Sequence, residues 1–273
     1  MQFKFKVWCA KWWGKWQRSR HFLSKVHGVI HVGANSGQER TFYQQFGLEV
    51  IWIEPVPATF ERLRTNLHEF PEQRAYRYLI TDEDDHEYAF HIANNDEASS
   101  SILPIAKHKQ MYPEVEYTDT ITLTSKTLDT FVKRERVDLQ KFQALILDTQ
   151  GSELLILRGA PNVLQQIRFV KAEVADFESY AGCCQLEGMG EFMRAAGFRE
   201  RKREAFMSLP DVGTYYDVTY ERFSACEMPM VRHAAPPGAA LGVRGSKLPG
   251  DGPHIARQHY GQVSWNSPRK LVW

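Results

Sequence analysis

The 273-residue sequence predicts an α/β fold, a mostly parallel sheet with helices packed on both of its faces. Three features carry that expectation. Residues 29–54 read as strand, glycine turn, helix and strand. Residues 144–158 repeat the order of strand, acid, glycine and helix. Around these two blocks, short apolar runs alternate with segments of helical spacing.

In the first block, the apolar run of Val29, Ile30 and Val32 breaks into Gly33-Ala-Asn-Ser-Gly37. Phe42 and Phe46 lie four apart on one helical face, Gly47 stops that helix, and Val50, Ile51 and Ile53 begin a second buried strand. Such a βαβ unit is parallel and right-handed. Glycines at the first turn let the backbone approach a ligand closely, and a helix N-terminus beyond them offers unpaired N–H groups and partial positive charge. Glu54 falls at the carboxyl end of the second strand, 21 positions after Gly33, where a carboxylate can accept hydrogen bonds from both ribose hydroxyls of a nucleoside. A dinucleotide fingerprint places glycines at relative positions one, three and six. Here Gly33 and Gly37 stand four apart with Asn35 midway, which disfavours NAD and FAD. That pattern resembles the first motif of class I S-adenosylmethionine (SAM) methyltransferases.

Composition bounds the rest. At 43% hydrophobic and 25% charged, the chain can bury one good core, so one catalytic domain with extensions is expected. A net charge of +1 gives no global field for nucleic acid, and no nucleic-acid partner is expected. Cys9, Cys183, Cys184 and Cys226 form neither a C-x-x-C pair nor a zinc spacing, which points to free thiols and a cytoplasmic location. Residues 1–24 form a basic extension in which Trp8, Trp12 and Trp16 stand four apart among lysines and arginines. Residues 1–20 could lie on an anionic membrane surface, or the tryptophan stripe could dock on the domain itself. No apolar run is long enough for a signal peptide core or a membrane span. Residues 25–224 are the expected catalytic domain. From residue 225 to 273, prolines and glycines punctuate a segment without apolar periodicity, expected to be a disordered tail.

Within the domain, Phe60, Leu63 and Leu67 make a helical stripe between Pro57 and Pro71, and residues 76–80 read as the third strand. Asp82 then falls at a carboxyl strand end, where it could face an adenine or serve as a turn residue in the run Asp82-Glu-Asp-Asp85. Tyr88, Phe90 and Ile92 alternate as a strand, followed by a long polar segment, residues 93–117, carrying Ser99-Ser-Ser101 and His108. Ile121 and Leu123 alternate again, and Thr127 caps a short helix. Ala144–Leu147 is a buried strand ending at Asp148, which either lines a pocket with Gly33 and Glu54 or caps the helix that follows and stops at Gly159. Strands at 169–174, 205–207 and 215–220, with a helix at 186–196 before Gly197, bring the sheet to about seven strands.

Gly33-Ala-Asn-Ser-Gly37, Glu54-Pro55, Asp82, Ser99-Ser-Ser-Ile-Leu103, Thr127-Leu-Asp129 and Asp148-Thr-Gln-Gly-Ser-Glu153 with Leu157-Arg-Gly-Ala160 resemble, in this order, the FkbM family of SAM-dependent methyltransferases. The resemblance covers roughly residues 29–220. It implies a Rossmann-like class I methyltransferase fold with a seven-stranded, mostly parallel sheet, SAM as cofactor, and O-methylation of a sugar, glycan, lipid or polyketide-type hydroxyl. Its motifs place candidate cofactor-binding residues at Gly33, Ala34, Asn35, Gly37, Glu54, Pro55, Asp82 and Asp148, with Asp148 also the candidate catalytic residue. Two positions depart from the family pattern. His31 stands where an acidic residue often precedes the glycine turn, and Ile146 where a lysine often precedes the aspartate.

Methyl transfer from a sulfonium needs alignment, exclusion of water and an acceptor for the hydroxyl proton. Asp148, His108 and Glu173 are candidate bases, although His108 also reads as a solvated loop histidine and Glu173 as a surface charge. No His, Cys and Asp cluster has metal-ligand spacing, so no metal is expected. A nicotinamide-dependent oxidoreductase and a degenerate SAM-fold binding module are the competing classes. Glycine spacing argues against the first, and Glu54 together with Asp148 against the second.

Overall fold

A computed structural model describes residues 20–224. Residues 1–19 of the tryptophan-rich extension and the whole 225–273 tail, with the expectations attached to them, lie outside the described residues. The chain first forms a helical turn α1 (Arg20–Leu23), then β1 (Gly28–Val32), α2 (Arg40–Gln45), β2 (Glu49–Ile53), α3 (Pro57–Asn66) and β3 (Gln73–Tyr76). An insertion follows: β4 (Leu79–Thr81), β5 (Glu87–Ala93), α4 (His108–Met111) and β6 (Tyr117–Thr127). The second half holds α5 (Leu128–Arg134), β7 (Ala144–Leu147), α6 (Glu153–Arg158), α7 (Pro161–Gln166), β8 (Phe169–Ala175), α8 (Leu186–Ala195), β9 (Phe198–Leu209) and β10 (Gly213–Arg222).

Seven strands form one sheet in the order β3-β2-β1-β7-β8-β10-β9. The pairs from β3 to β8 are parallel, and β10 runs antiparallel to both of its neighbours. This is a Rossmann-like α/β fold. The alternation along the central strands explains helices on both faces. Ile30, Ile51, Leu145 and Leu147 pack against Phe131 of α5, Ile156 of α6, Val163 of α7 and Met189 of α8. Val29, Val50, Trp52, Ala144 and Ile146 pack on the other side against α1, α2 and α3 through Phe22, Phe42 and Leu63. Strands buried on both faces read as continuous apolar runs, as β1, β2 and β7 do in the sequence.

Order reverses between β1 and β7, since β2 and β3 lie to one side of β1 and β7 and β8 to the other. Such a switch point opens a crevice beyond the carboxyl strand ends. The register makes the crevice sharp. Val32 pairs with Ile53 on one side and with Leu147 on the other, so Gly33, Glu54 and Asp148 leave the sheet side by side.

The structure corrects the expected third strand. Residues 76–80 are not one strand: β3 ends at Tyr76 in the main sheet, and β4 begins at Leu79 in a second, three-stranded sheet of order β4-β6-β5. Tyr76 and Tyr78 both turn onto the ring of Phe131, at centroid distances of 5.3 and 5.2 Å, which draws the chain off the main sheet. The strand expected at 205–207 is instead twelve residues long, because β9 pairs along β10 as a hairpin while its edge carries Arg199, Arg201, Lys202 and Arg203 rather than an apolar alternation. Charged edges of this kind discourage pairing with another chain.

Candidate functional site

The turn after β1 is shaped by residues that accept a left-handed backbone. Gly33 has φ +84°, Asn35 +45° and Gly37 +70°. Gly33 and Ala34 both donate their N–H to the carbonyl of Ile53, at 3.0 and 3.1 Å, which stitches the turn to the end of β2. A Cβ on Gly33 would fall 2.0 Å from the carbonyl oxygen of Asp148, and one on Gly37 2.7 Å from Leu63 Cδ1. Gly33 is therefore required by close approach to backbone as well as by conformation, and Gly37 chiefly by its conformation. Asn35 tolerates its conformation by bonding locally, its Oδ1 accepting from Ser36 N at 2.6 Å and Gln38 Nε2 at 3.1 Å. The helix follows beyond the glycines: α2 begins at Arg40 after a further turn and is six residues long.

Glu54 is 5% exposed at the end of β2. Its Oε2 accepts from Asn35 N at 2.9 Å and its Oε1 from Val56 N at 2.9 Å. Burial pushes its carboxyl up to about 7; the two backbone donors pull it down, nearby Glu97 adds to the rise and Arg62 opposes it. The carboxylate thus holds the glycine turn and the start of α3 in a fixed relation, with little solvent on it.

Asp148, half-buried at the end of β7, donates its N–H to Val32 O at 3.1 Å. It does not cap the following helix. Ser152 occupies the N-cap position of α6, and Asp148 Oδ1 instead accepts from Gln150 Nε2 at 2.8 Å. Glu153 shapes the loop between them. Its buried carboxylate accepts from Thr149 N and Oγ1 and from Gly151 N, at 2.8, 3.2 and 3.1 Å, and burial raises its pKa against those donors.

Gly33, Asn35, Glu54, Pro55 and Asp148 line one cleft, together with Thr149, Gln150 and Ser152. The opposite wall is apolar, made by Val56, Leu79, Ile80 and Phe90 with Tyr78. Residues 95–98 form a strap across it: Asn35 Nδ2 donates to Asp96 O at 2.9 Å, Arg62 of α3 pairs with Glu97, and Asp96 and Glu97 have φ +56° and +58°. Of the remaining expected site residues, Ala34 is buried within the turn and Gly37 lies behind it against α3. Asp82 is not among the cleft-lining residues. It follows β4 of the smaller sheet, where its backbone lies against Gly159. His31 is buried away from the cleft, stacked on Trp52 at 4.8 Å with Nδ1 3.1 Å from Tyr43 Oη, and Ile146 is packed in the core on the same face.

The expected solvated loop is also revised. His108 is 3% exposed, with Nδ1 2.7 Å from Tyr215 Oη and Nε2 3.1 Å from Ser99 Oγ, and burial lowers its pKa to about 4. The three serines 99–101 are buried as well; Ser100 Oγ accepts from Ala93 N and Ser101 Oγ donates to Gln150 O. Glu173, level with Asp148 on the neighbouring strand, lines a small inner cavity with Glu153, Tyr180 and Tyr215 rather than the cleft. Sequence reasoning passed over Gln150, Tyr180, Arg62 and Glu97. Only Gln150 carried a signal, its place between Asp148 and Gly151. Among the described residues no group of three or more His, Cys, Asp or Glu is placed to hold a metal ion.

A mostly parallel α/β sheet with a glycine turn, a buried acid at the end of β2 and a second acid at the end of β7 is the arrangement that doubly wound nucleotide-binding folds share. The family profile described as "Methyltransferase FkbM domain" matches residues 31–200, more than half of the chain, and the chain belongs to that family. It is a SAM-dependent methyltransferase by family and fold. No curated protein matches it. Solved structures it resembles include the magnesium protoporphyrin IX methyltransferase of Synechocystis PCC 6803 with bound SAM, at 10% identity, 71% of this chain, 69% of that chain and TM-score 0.38. A precorrin-6y C5,15-methyltransferase from Geobacter metallireducens GS-15 gives 12%, 72%, 81% and 0.39. A TehB-like SAM-dependent methyltransferase from Corynebacterium glutamicum gives 10%, 72%, 80% and 0.38.

The chemistry of the cleft walls is compatible with SAM. Glu54 offers a buried carboxylate of the kind that accepts from ribose hydroxyls, and the apolar wall has the character an adenine face would need.

Proposed function

We propose that this chain transfers a methyl group from SAM to a hydroxyl oxygen of a sugar, glycan, lipid or polyketide-type acceptor. The observation that carries this reading is the register that brings Gly33, Glu54 and Asp148 to one edge of the sheet, where all three line a single cleft. Bound there, SAM supplies the methyl as an electrophile on a sulfonium. The protein holds the ribose through Glu54 and encloses the adenine between Val56, Leu79, Ile80 and Phe90. The Gly33–Asn35 turn lies along the amino-acid end.

In this reading Asp148 stands at the reacting end of the cleft and takes the acceptor's hydroxyl proton as the new O–C bond forms. His108 is set aside as base, because both ring nitrogens are engaged and it lies outside the cleft lining. Glu173 is set aside because it opens onto the inner cavity. In-line displacement asks mainly for alignment and dryness, which the apolar wall and the 95–98 strap favour.

We also place the enzyme in the cytoplasm, with residues 1–24 as an extension that touches anionic membranes through residues 1–20. Among the described residues no helix is long and apolar enough to cross a membrane. Deleting residues through Arg20 then abolishes co-sedimentation with anionic vesicles and leaves a folded domain. The enzymatic reading is tested by incubating the protein with radiolabelled SAM and a panel of glycans and lipids. Label is expected in a base-stable ether product; label only in protein, or nowhere across the panel while SAM binds, counts against O-methylation of these acceptors.

A further inference from the structure

We infer that Gln150 is a positioning residue, which fixes the carboxylate of Asp148 at the cleft, and that buried Tyr180 fixes Gln150 in turn. The inference rests on the reading that Asp148 belongs to the cofactor site. Gln150 sits in the left-handed region at φ +58°, directly before Gly151 at +101°, so the chain doubles back there and its side chain returns toward Asp148. Its Nε2 donates to Asp148 Oδ1 at 2.8 Å, and its Oε1 accepts from Tyr180 Oη at 2.9 Å. Its carbonyl accepts from Ser101 Oγ at 2.8 Å. A carboxylate on one side and a phenol donor on the other leave the amide one sensible orientation, N–H toward Asp148.

Tyr180 is equally constrained. It is 1% exposed, and its ring stacks on His108 with centroids 5.0 Å apart and planes 28° apart. His108 is held between Tyr215 and Ser99, and Ser99 accepts a further bond from Asn95 Nδ2 at 2.9 Å. A chain of engaged groups therefore runs from the strap at Asn95, through the buried histidine and the tyrosine stacked on it, to Gln150 and Asp148. Gln150 lines both the cleft and the inner cavity, so it stands as the partition between them. The inner cavity, about 10 Å³, is the size of one water, so that side of Gln150 is packing support and not a ligand seat. A supported amide that donates to a site carboxylate fixes its rotamer and leaves its other lone pairs directed at a ligand, as outer hydrogen bonds do for metal ligands.

The test uses the full-length chain, SAM as the titrant and calorimetry as the readout, on wild type, Gln150→Ala, Asp148→Asn, the double variant and Tyr180→Phe. Gln150→Ala is expected to weaken SAM about tenfold, and Tyr180→Phe severalfold in the same direction. In the Asp148→Asn background, Gln150→Ala is expected to add less than twofold, because its effect passes through the carboxylate already removed; a general disturbance of the loop would add its full tenfold there. Tyr180→Phe deletes one hydroxyl and keeps the stack, so it gives a result even if Gln150→Ala fails to fold. Wild-type affinity in both Gln150→Ala and Tyr180→Phe, or full additivity in the double variant, overturns the inference while a weakened Asp148→Asn leaves the site reading intact. Wild-type affinity in Asp148→Asn removes Asp148 from the site and the inference with it.

Discussion

The backbone N–H of Asn35 donates to Oε2 of Glu54 across 2.9 Å, joining the glycine turn after β1 to the acid after β2. Val56 N holds the other oxygen, so Glu54 is enclosed by backbone before any ligand arrives. Burial still dominates its titration and raises its carboxyl from 4.5 to about 7. Between those values the folded state holds more protons than the unfolded state, so stability supplied by this group falls as pH rises.

Glu54→Gln keeps the shape and removes the titration. Relative to wild type, the variant is expected to gain about 2–3 kcal/mol between pH 5 and pH 8, since each pKa unit is worth about 1.4 kcal/mol. Urea unfolding of both proteins across that range checks it. A difference that stays constant with pH would show Glu54 ionised in the folded protein at pH 5. His108 acts with the opposite sign. Its pKa falls from 6.5 to about 4 on burial, so its contribution is present above pH 6.5 and lost as pH falls toward 4. The two groups offset each other in wild type near pH 5–6, and Glu54→Gln exposes the histidine's rise.

Gly33 and Gly47 separate two reasons for glycine. Both have positive φ, +84° and +65°, but a Cβ on Gly47 meets nothing within 4 Å while one on Gly33 meets Asp148 O at 2.0 Å. Gly47→Ala is expected to cost only its backbone conformation, about 1–2 kcal/mol. Gly33→Ala must also push β1 and β7 apart at their ends and is expected to cost more than about 3 kcal/mol. Equal melting temperatures for the two variants would contradict the packing at Gly33.

The strap over the cleft hangs on Asn35–Asp96 and Arg62–Glu97. The cavity beneath is tight, about 60 Å³, so on the proposed reading a nucleoside is expected to enter by lifting residues 95–98. The ion pair is partly exposed and worth roughly 1 kcal/mol or less. Glu97→Ala is therefore expected to speed both SAM association and dissociation severalfold in stopped-flow fluorescence, with the equilibrium affinity changed less than either rate. Unchanged rates would mean that entry does not pass the strap.

Asp148 distinguishes chemistry from capping, and with Ser152 at the cap position its substitution has little helix to disturb. Asp148→Asn is expected to keep stability within about 1 kcal/mol, while methyl transfer to a hydroxyl acceptor falls roughly 10²-fold or more. Wild-type turnover in the folded variant would assign the proton to another group.

Much of this was legible in sequence because it is local. The βαβ unit showed in Val29–Ile53, where both-face burial gives continuous apolar runs and Gly47 ends α2 at φ +65°. Thr127 read as a cap and is one, accepting from Thr130 N at 3.1 Å. What failed depends on distant partners. Nothing in residues 76–80 says that Tyr78 will join Tyr76 on the ring of Phe131 as the chain leaves the main sheet, so the strand before Asp82 reads as one rather than two. His108 stands among polar residues and reads as solvated until Tyr180 and Tyr215, 72 and 107 positions away, close over it. Charged β9 hid its length because pairing with β10, not apolar alternation, holds it.

The central claim is that Glu54 and the Gly33 turn form a SAM site. Calorimetry of the full-length protein with SAM, with its demethylated product and with NAD, repeated on Glu54→Ala, tests it most directly. Micromolar binding of SAM and its product, no binding of NAD, and a loss of about 1.5–3 kcal/mol in the folded variant are expected, the size of hydrogen bonds to a charged acceptor. Binding of NAD without SAM, or an unchanged SAM affinity in folded Glu54→Ala, would contradict it.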